Sequence, residues 1–164
     1  SDCNDDHPGR EEIDRSMTGQ LANQRGGAAR WLFIIIIIAA AFFGYQYFKK
    51  TPRYALIQFK KAILFSSAET AQRYADFDSI VRSLPDSATL GQPDETVKKR
   101  LIYEIDSPHE KSYFAKVKGW SVIRCPIAVT ADQASATAQP TPDTSVTLQR
   151  LDNEQWVIIA IETP

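Results

Sequence analysis

The chain has 164 residues, and its 19 basic and 20 acidic side chains leave a net charge of −1. That balance gives no bias toward nucleic acid or toward an acidic substrate. The two cysteines, Cys3 and Cys125, stand on opposite sides of a long apolar run, so they cannot pair within one chain and a disulfide framework is excluded. Beyond that run, the chain is long enough for one small domain.

Residues 1–30 form a polar tail with six acidic residues and four arginines. Such a segment buries too little apolar surface to offset the entropy of ordering it, so we expect disorder when it is alone in water. A partner's contacts would order it. Cys3 and His7 are metal-ligand types, but two ligands without a second pair do not make a zinc site. The tail therefore predicts no metal centre.

Residues 31–48, with the sequence WLFIIIIIAAAFFGYQYF, contain no charge. As a helix rising about 1.5 Å per residue they reach roughly 27 Å, close to the hydrocarbon thickness of a bilayer. A signal peptide would need a cleavage site of small residues after the run, and none follows Phe48. We therefore expect a transmembrane helix rather than a signal peptide or a buried core helix. Its membrane-boundary anchors are Arg30, Trp31, Tyr45, Tyr47, Lys49 and Lys50.

Within this span, Ala40 and Gly44 are four residues apart and lie on one face of a helix. Small residues at that spacing let two membrane helices approach closely, although small residues are also common in membrane helices generally. We interpret the pair as a candidate helix-packing face.

The domain, residues 51–164, begins with helical patterns. Thr51 can cap a helix whose first residue is Pro52. Its apolar stripe consists of Ala55, Leu56, Phe59, Ala62 and Ile63. Further helices are predicted from Ser66 or Ser67 to Tyr74, over 77–84, and from Asp94 or Glu95 to Ile105.

After residue 108 the apolar period changes from helical to two, which is typical of strands. Strands are predicted over 113–120, 122–130, 134–139, 145–151 and 155–162. In the last strand, strict alternation would point Trp156, Ile158 and Ala160 one way and Val157, Ile159 and Ile161 the other. Helices followed by an antiparallel meander predict an α+β fold in which helices pack on one face of the sheet.

The start of the domain resembles an uncharacterised family of bacterial proteins anchored by a single membrane helix. The residues that carry the resemblance are 52–56 (PRYAL), Ala62 and 74–77 (YADF). The end of the domain is similar to the sheet of cone-shaped domains related to nuclear transport factor 2, also called cystatin-like. The residues concerned are 127–130, 134–136, 146–148 and 156–158.

This resemblance implies a curved sheet wrapped around a long helix. It also implies a cavity that holds a small ligand, a catalytic site or only core side chains. Phe59, Trp120 and Trp156 are therefore candidates for the lining of a pocket or for the core.

The side chains that could carry chemistry do not form a recognisable set. His109 lies in a polar loop near Asp106, and we interpret it as an exposed loop histidine rather than a general base. Asp76 and Asp78 could pair as carboxylates, but an aspartate at the start of a helix is more often a cap. Cys125 is interpreted as a buried structural thiol. We predict no catalytic, cofactor-binding or metal-binding residue and infer no small-molecule substrate.

The sequence therefore predicts a non-catalytic single-pass membrane protein, an accessory or structural subunit of a larger membrane complex of the energy-converting or transport type. The alternative is a free membrane-tethered module that binds a small ligand or an envelope component in the cone-shaped cavity. The two differ in whether the protein migrates with fixed partners in detergent.

Charge and resemblance give opposite expectations for the side of the membrane on which the domain lies. The basic residues near the span are Arg15, Arg25 and Arg30 on the tail side, and Lys49, Lys50, Arg53, Lys60 and Lys61 on the domain side. The positive-inside rule thus favours a cytoplasmic domain by two charges. The resemblance implies the opposite, an extracytoplasmic domain, and that is our expectation.

Overall fold

The structure, a computed structural model, describes residues 24–163 of the chain, with side chains from residue 29 onward. The expectations for residues 1–23, including the chemistry of Cys3 and His7, lie outside the described residues. The chain divides into two compact units, one ending at Tyr45 and the other beginning at Gln46. In chain order the helices are α1 (Gln24–Lys49), α2 (Pro52–Leu64), α3 (Ala68–Tyr74), α4 (Phe77–Ser83), α5 (Asp86–Thr89) and α6 (Asp94–Asp106). They are followed by a 3-10 helix (Tyr113–Gly119) and the strands β1 (Ile127–Val129), β2 (Ser135–Thr141), β3 (Thr144–Arg150) and β4 (Trp156–Glu162).

Helix α1 contains the predicted apolar run and starts several residues before it. Its segment Ala29–Lys49 has a mean hydropathy of 2.0 and is long and apolar enough to cross a bilayer. None of its most apolar 18-residue stretch is buried, whereas the core helix of a soluble protein would be mostly buried. It is the single candidate span among the described residues.

Helix α2 begins where the sequence predicts. The side-chain oxygen of Thr51 accepts a hydrogen bond from the backbone N–H of Tyr54, and Pro52 occupies the first turn. The buried residues of this helix are the predicted stripe, Ala55, Leu56, Phe59, Ala62 and Ile63. The predicted core face of α2 is therefore confirmed.

The next helices also start at predicted caps. The Ser67 side chain accepts from the N–H of Thr70 at the start of α3, and Asp76 accepts from two N–H groups at the start of α4. Helix α6 starts at Asp94 and buries Val97, Leu101, Glu104 and Ile105. The short α5 lies between two predicted helices and was not itself predicted.

The cap at Asp76 makes a pH-dependent prediction. Partial burial raises the pKa of this carboxyl, but hydrogen bonds from Ser79 and Asp78 and the charge of Arg82 lower it below its ordinary 3.8 overall. A lowered folded-state pKa means that the cap stabilises the domain above the ordinary pKa and loses that effect as the pH falls through the folded-state value. We expect Asp76→Ala to cost about 0.5–2 kcal/mol at pH 7.

The measurement is urea unfolding of the full chain in mild detergent at pH 7 and again below pH 3. The difference between the parent protein and Asp76→Ala should shrink at the lower pH. Asp76→Asn is the matched control, because asparagine caps helices about as well as aspartate and does not titrate. A difference that stays the same at both pH values would contradict the role of the ionised carboxylate.

The four strands form one antiparallel sheet in the order β1-β2-β3-β4. Each strand pairs with its neighbour in sequence, as expected for a meander. Ala136, Ala138, Val146 and Leu148 are all buried, and they alternate with more exposed residues along β2 and β3. The α+β class and the antiparallel order are therefore confirmed.

Two of the predicted strands are wrong in whole or in part. Residues 113–119 form a 3-10 helix, in which the buried Phe114 and Val117 are three residues apart and therefore share a face. The backbone N–H of Tyr113 donates to the buried carboxylate of Glu104 at 2.9 Å, which fixes the start of this turn. Of the predicted strand 122–130, only Ile127–Val129 forms a strand, which pairs with β2.

A bulge changes the predicted alternation of β4. Thr147 pairs with Ala160 but Leu148 pairs with Ile158, so Ile159 is an extra residue on β4. Since Leu148 and Val146 face the core, their partners Ile158 and Ile161 face it too. Strict alternation had placed those two isoleucines on opposite faces.

A group of aromatic side chains packs together within the core of the domain. The ring of Phe59 packs 5.7 Å from that of Phe114 and 6.2 Å from that of Trp120, between ring centroids. The ring of Phe77 also packs against that of Phe114, at 6.1 Å between centroids. Phe59 and Trp120 are therefore core residues in this structure rather than the lining of a cleft.

Candidate functional site

A cleft of 670 Å³ opens where the apolar run ends, and we call it the span-end cleft. Three segments build it: the end of α1 with the start of α2, the turn between β1 and β2, and the turn between β3 and β4. Its lining residues are Tyr47, Lys50, Thr51, Pro52, Val129, Thr130, Ala131, Gln133, Arg150, Glu154 and Trp156.

Three charged side chains form a cluster in the span-end cleft. The Glu154 carboxylate forms an ion pair with the Lys50 ammonium, and it also accepts a hydrogen bond from the Arg150 guanidinium at 3.2 Å. The hydrogen bond from Lys50 and the charges of Lys50 and Arg150 hold the pKa of Glu154 below its ordinary value. One carboxylate thus faces two cations, and the cluster has a net charge of +1.

Backbone and indole contacts hold the first residues of the cleft in place. The Trp156 indole N–H donates to the backbone carbonyl of Lys50 at 2.9 Å. The Thr51 hydroxyl donates to the carbonyl of Phe48 at 2.7 Å. Trp156 is 4% exposed, so its ring forms the floor of the cleft and not its rim. The segment from Phe48 to Thr51 is therefore fixed to the sheet.

The far wall of the cleft is ordered by its own turn. The Thr130 hydroxyl bonds to the carboxylate of Asp132, which also accepts the N–H of Ala134 at 3.0 Å. Those hydrogen bonds lower the pKa of Asp132, but this side chain is not part of the cleft lining. Its charge is used within the turn between β1 and β2.

The structure places the predicted boundary residues in two settings. Arg30, Trp31 and Tyr45 are exposed on α1, whereas Tyr47 and Lys50 line the span-end cleft. Lys49 lines a smaller, adjoining cleft of 260 Å³, which shares Lys50 and Glu154 with the span-end cleft.

The candidate helix-packing face is open. Ala40 is exposed, and a Cβ added at Gly44 would meet no neighbouring group within 4 Å.

A second cleft, of 400 Å³, lies where α3 and α4 meet the edge of β4. Its charged groups already have partners within the protein. Lys98 pairs with Asp78 at 2.8 Å, and Asp76 caps α4. This cleft therefore has polar walls, but its charged side chains are engaged in an ion pair and a helix cap.

The residues considered for catalysis are not brought together. His109 is exposed in its loop, and the carboxylate of Asp106 instead accepts the backbone N–H of Ala68 at 3.0 Å, at the start of α3. Cys125 is buried, and its thiol donates to the carbonyl of Val122 at 3.4 Å. Among residues 24–163, no group of three His, Cys, Asp or Glu side chains could hold a metal ion.

Sequence reasoning named Tyr47, Lys50 and Trp156 separately but did not bring them together, and it missed Arg150 and Glu154. The one local signal was the spacing of four between Arg150 and Glu154. Lys50 and Glu154 are more than 100 residues apart in the chain, so no pattern within a window could pair them.

The chain matches no protein-family model, no curated protein and no solved structure. The structure itself shows the class of the protein: an α+β domain preceded by one apolar helix. The resemblance to a membrane-anchored family with a domain like nuclear transport factor 2 stays a prediction.

Proposed function

We propose that this protein is a non-catalytic single-pass membrane protein that serves as an accessory subunit of a larger membrane complex, of the energy-converting or transport type. The observation that carries the proposal is the apolar helix α1, which is exposed along its whole candidate span. An apolar helix of this length is stable in a bilayer, where its surface contacts lipid or other membrane helices.

The small-residue face gives this helix a means of association. Ala40 and Gly44 differ by about 40° around the helix axis, so they share one side. In lipid, helices associate through close van der Waals packing, and small residues permit that approach. The open space at Gly44 is compatible with a neighbouring helix.

The domain supports a binding role over a catalytic one. Its core is filled, and ion pairs join Lys50 to Glu154 and Lys98 to Asp78 in the two clefts described above. Large apolar side chains nevertheless protrude from the domain: Phe65 and Ile123 are each 73% exposed. Surfaces of this kind suit contact with other subunits.

The test is purification of the full chain in mild detergent, with identification of the proteins that co-elute. We expect Ala40→Leu combined with Gly44→Leu to release the subunit from its partners, because two added side chains block close helix approach. Ile38→Leu with Phe42→Leu is the matched control, since these positions lie roughly 120–160° away on the same helix and stay apolar. Circular dichroism should show the domain folded in both variants.

Three results would contradict this proposal. The protein could migrate alone, both double variants could release partners equally, or neither could release them. Loss of turnover with full assembly retained, on changing His109 or Asp76 alone, would indicate an enzyme. The complex's own chemistry should continue, less stably, without this subunit.

We propose that the domain lies outside the cytoplasm, as the family resemblance implies. The positive-inside rule favours the cytoplasm, by two basic residues. Protease added to intact spheroplasts should then remove the domain and spare the span. Full protection of the domain would place it in the cytoplasm.

The alternative function is a free membrane-tethered binding module. The span-end cleft favours it, because a volume of 670 Å³ is in the range of small-molecule sites. A protein that elutes alone from detergent while retaining a bound small molecule would support this alternative over the accessory subunit.

A further inference from the structure

We propose that the span-end cleft binds the phosphodiester headgroup of an anionic phospholipid. The inference rests on the proposed membrane span, but it does not depend on any partner subunit. Three properties of the cleft support it: its place in the chain, its net charge and its apolar floor.

The place of the cleft in the chain puts it next to lipid headgroups. Tyr47 belongs to the apolar run itself, and Lys50 follows the run by two residues. In a membrane helix, residues at this position lie at the boundary between hydrocarbon and water, where tyrosine and lysine are favoured. A ligand that is always present at that boundary is the lipid headgroup.

The charge of the cleft matches a phosphodiester. Lys50 and Arg150 contribute two positive charges and Glu154 one negative charge, so a single negative charge would neutralise the cluster. The Lys50 side chain is 55% exposed and that of Arg150 is 30% exposed, so both are accessible to a ligand. Ammonium and guanidinium groups form charge-assisted hydrogen bonds with phosphate oxygens. The net positive charge of the cluster also disfavours the quaternary ammonium of a choline group.

The apolar part of the lining fits the rest of a lipid. Pro52, Val129 and Ala131 line the cleft above the floor formed by Trp156. The glycerol backbone and first methylene groups of a phospholipid can contact these side chains while the phosphate meets the cations. Free inorganic phosphate would gain nothing from such a surface, so the observations favour a lipid over a soluble phosphate.

The experiment uses the full chain in mild detergent. Phosphatidylglycerol or phosphatidylcholine with the same acyl chains is added, and the lipids retained per protein are counted by native mass spectrometry. A third arm adds soluble glycerol phosphate as a competitor. We expect preferential retention of phosphatidylglycerol, with little competition from glycerol phosphate at equal concentration.

Variants that should change the retention of phosphatidylglycerol in opposite directions test whether the lipid binds in the cleft. Lys50→Gln with Arg150→Gln should weaken retention of phosphatidylglycerol by about fivefold for each cation removed. Glu154→Gln should strengthen retention, since it removes the internal counter-charge. Because unfolding would weaken binding in every variant, a gain with Glu154→Gln cannot come from misfolding. Lys49→Gln is the matched control: it removes the adjacent cation, which is not part of the lining of the span-end cleft.

Several results would overturn the proposal. These are equal retention of the two lipids, no loss with Lys50→Gln and Arg150→Gln, or an equal loss with Lys49→Gln. Full competition by glycerol phosphate would assign the cleft to a soluble phosphate ester. The Ala40→Leu and Gly44→Leu variant separates this proposal from the proposed function, because it should lose partners and still retain phosphatidylglycerol.

Discussion

Replacing Phe59 with alanine is expected to lower the free energy of unfolding of the domain by about 3–5 kcal/mol. The Phe59 side chain is fully buried, and its ring contacts those of Phe114 and Trp120 at the centre of the core. Truncation removes the transfer free energy of the ring and leaves a cavity, because neighbours held by several elements relax only in part. A small domain would lose much of its total stability.

Urea unfolding of the full chain in mild detergent, followed by tryptophan fluorescence, measures this loss. Phe65→Ala is the matched control, since Phe65 follows the end of α2 and is 73% exposed. We expect that control to stay within about 0.5 kcal/mol of the parent protein. A loss under 1 kcal/mol for Phe59→Ala would show that the core tolerates a cavity at this point.

Replacing Glu104 with alanine is expected to cost about 2–4 kcal/mol. This buried carboxylate accepts hydrogen bonds from the Ser112 hydroxyl at 3.2 Å and from the backbone N–H of Tyr113 at 2.9 Å. The Arg100 guanidinium lies 4.0 Å away. Without the carboxylate, two partly or fully buried donors lose their acceptor, and each such group costs about 1–3 kcal/mol.

Glu104→Gln separates the hydrogen bonds from the charge. Its amide oxygen can still accept from Tyr113, so we expect a loss of roughly 1 kcal/mol. The same urea measurement compares the two variants. Equal losses would mean that the charge, rather than the acceptor oxygen, holds the 3-10 helix to α6.

The helical half of the domain was predictable because its information is local. Thr51, Ser67 and Asp76 each cap the helix that follows through hydrogen bonds within a few residues. Apolar stripes with a period of 3.6 then determine which face is buried. A short stretch of sequence contains both the capping residue and the apolar stripe of each helix.

The errors fall where distant residues decide the structure. Tyr113 starts a 3-10 helix because its N–H meets Glu104, and its hydroxyl donates to the carbonyl of Ile161, a contact across 48 residues. Burial raises the pKa of that hydroxyl to about 12. The bulge at Ile159 likewise depends on pairing with β3. The ion cluster of the span-end cleft joins Lys50 to Glu154 and has no local signature.

Strand β4 lies at an edge of the sheet, but part of that edge is already occupied. The backbone N–H of Asp76 donates to the carbonyl of Ile158 at 2.8 Å, and Ala75 forms a short parallel bridge with the same residue. In a bilayer, proteins of one kind diffuse in two dimensions and collide often, so an open strand edge would recruit further copies into a growing sheet. The segment around Ala75 caps β4 midway, and β1 at the opposite edge has only three residues. Both edges of the sheet therefore offer little opportunity for strand addition between copies of this domain.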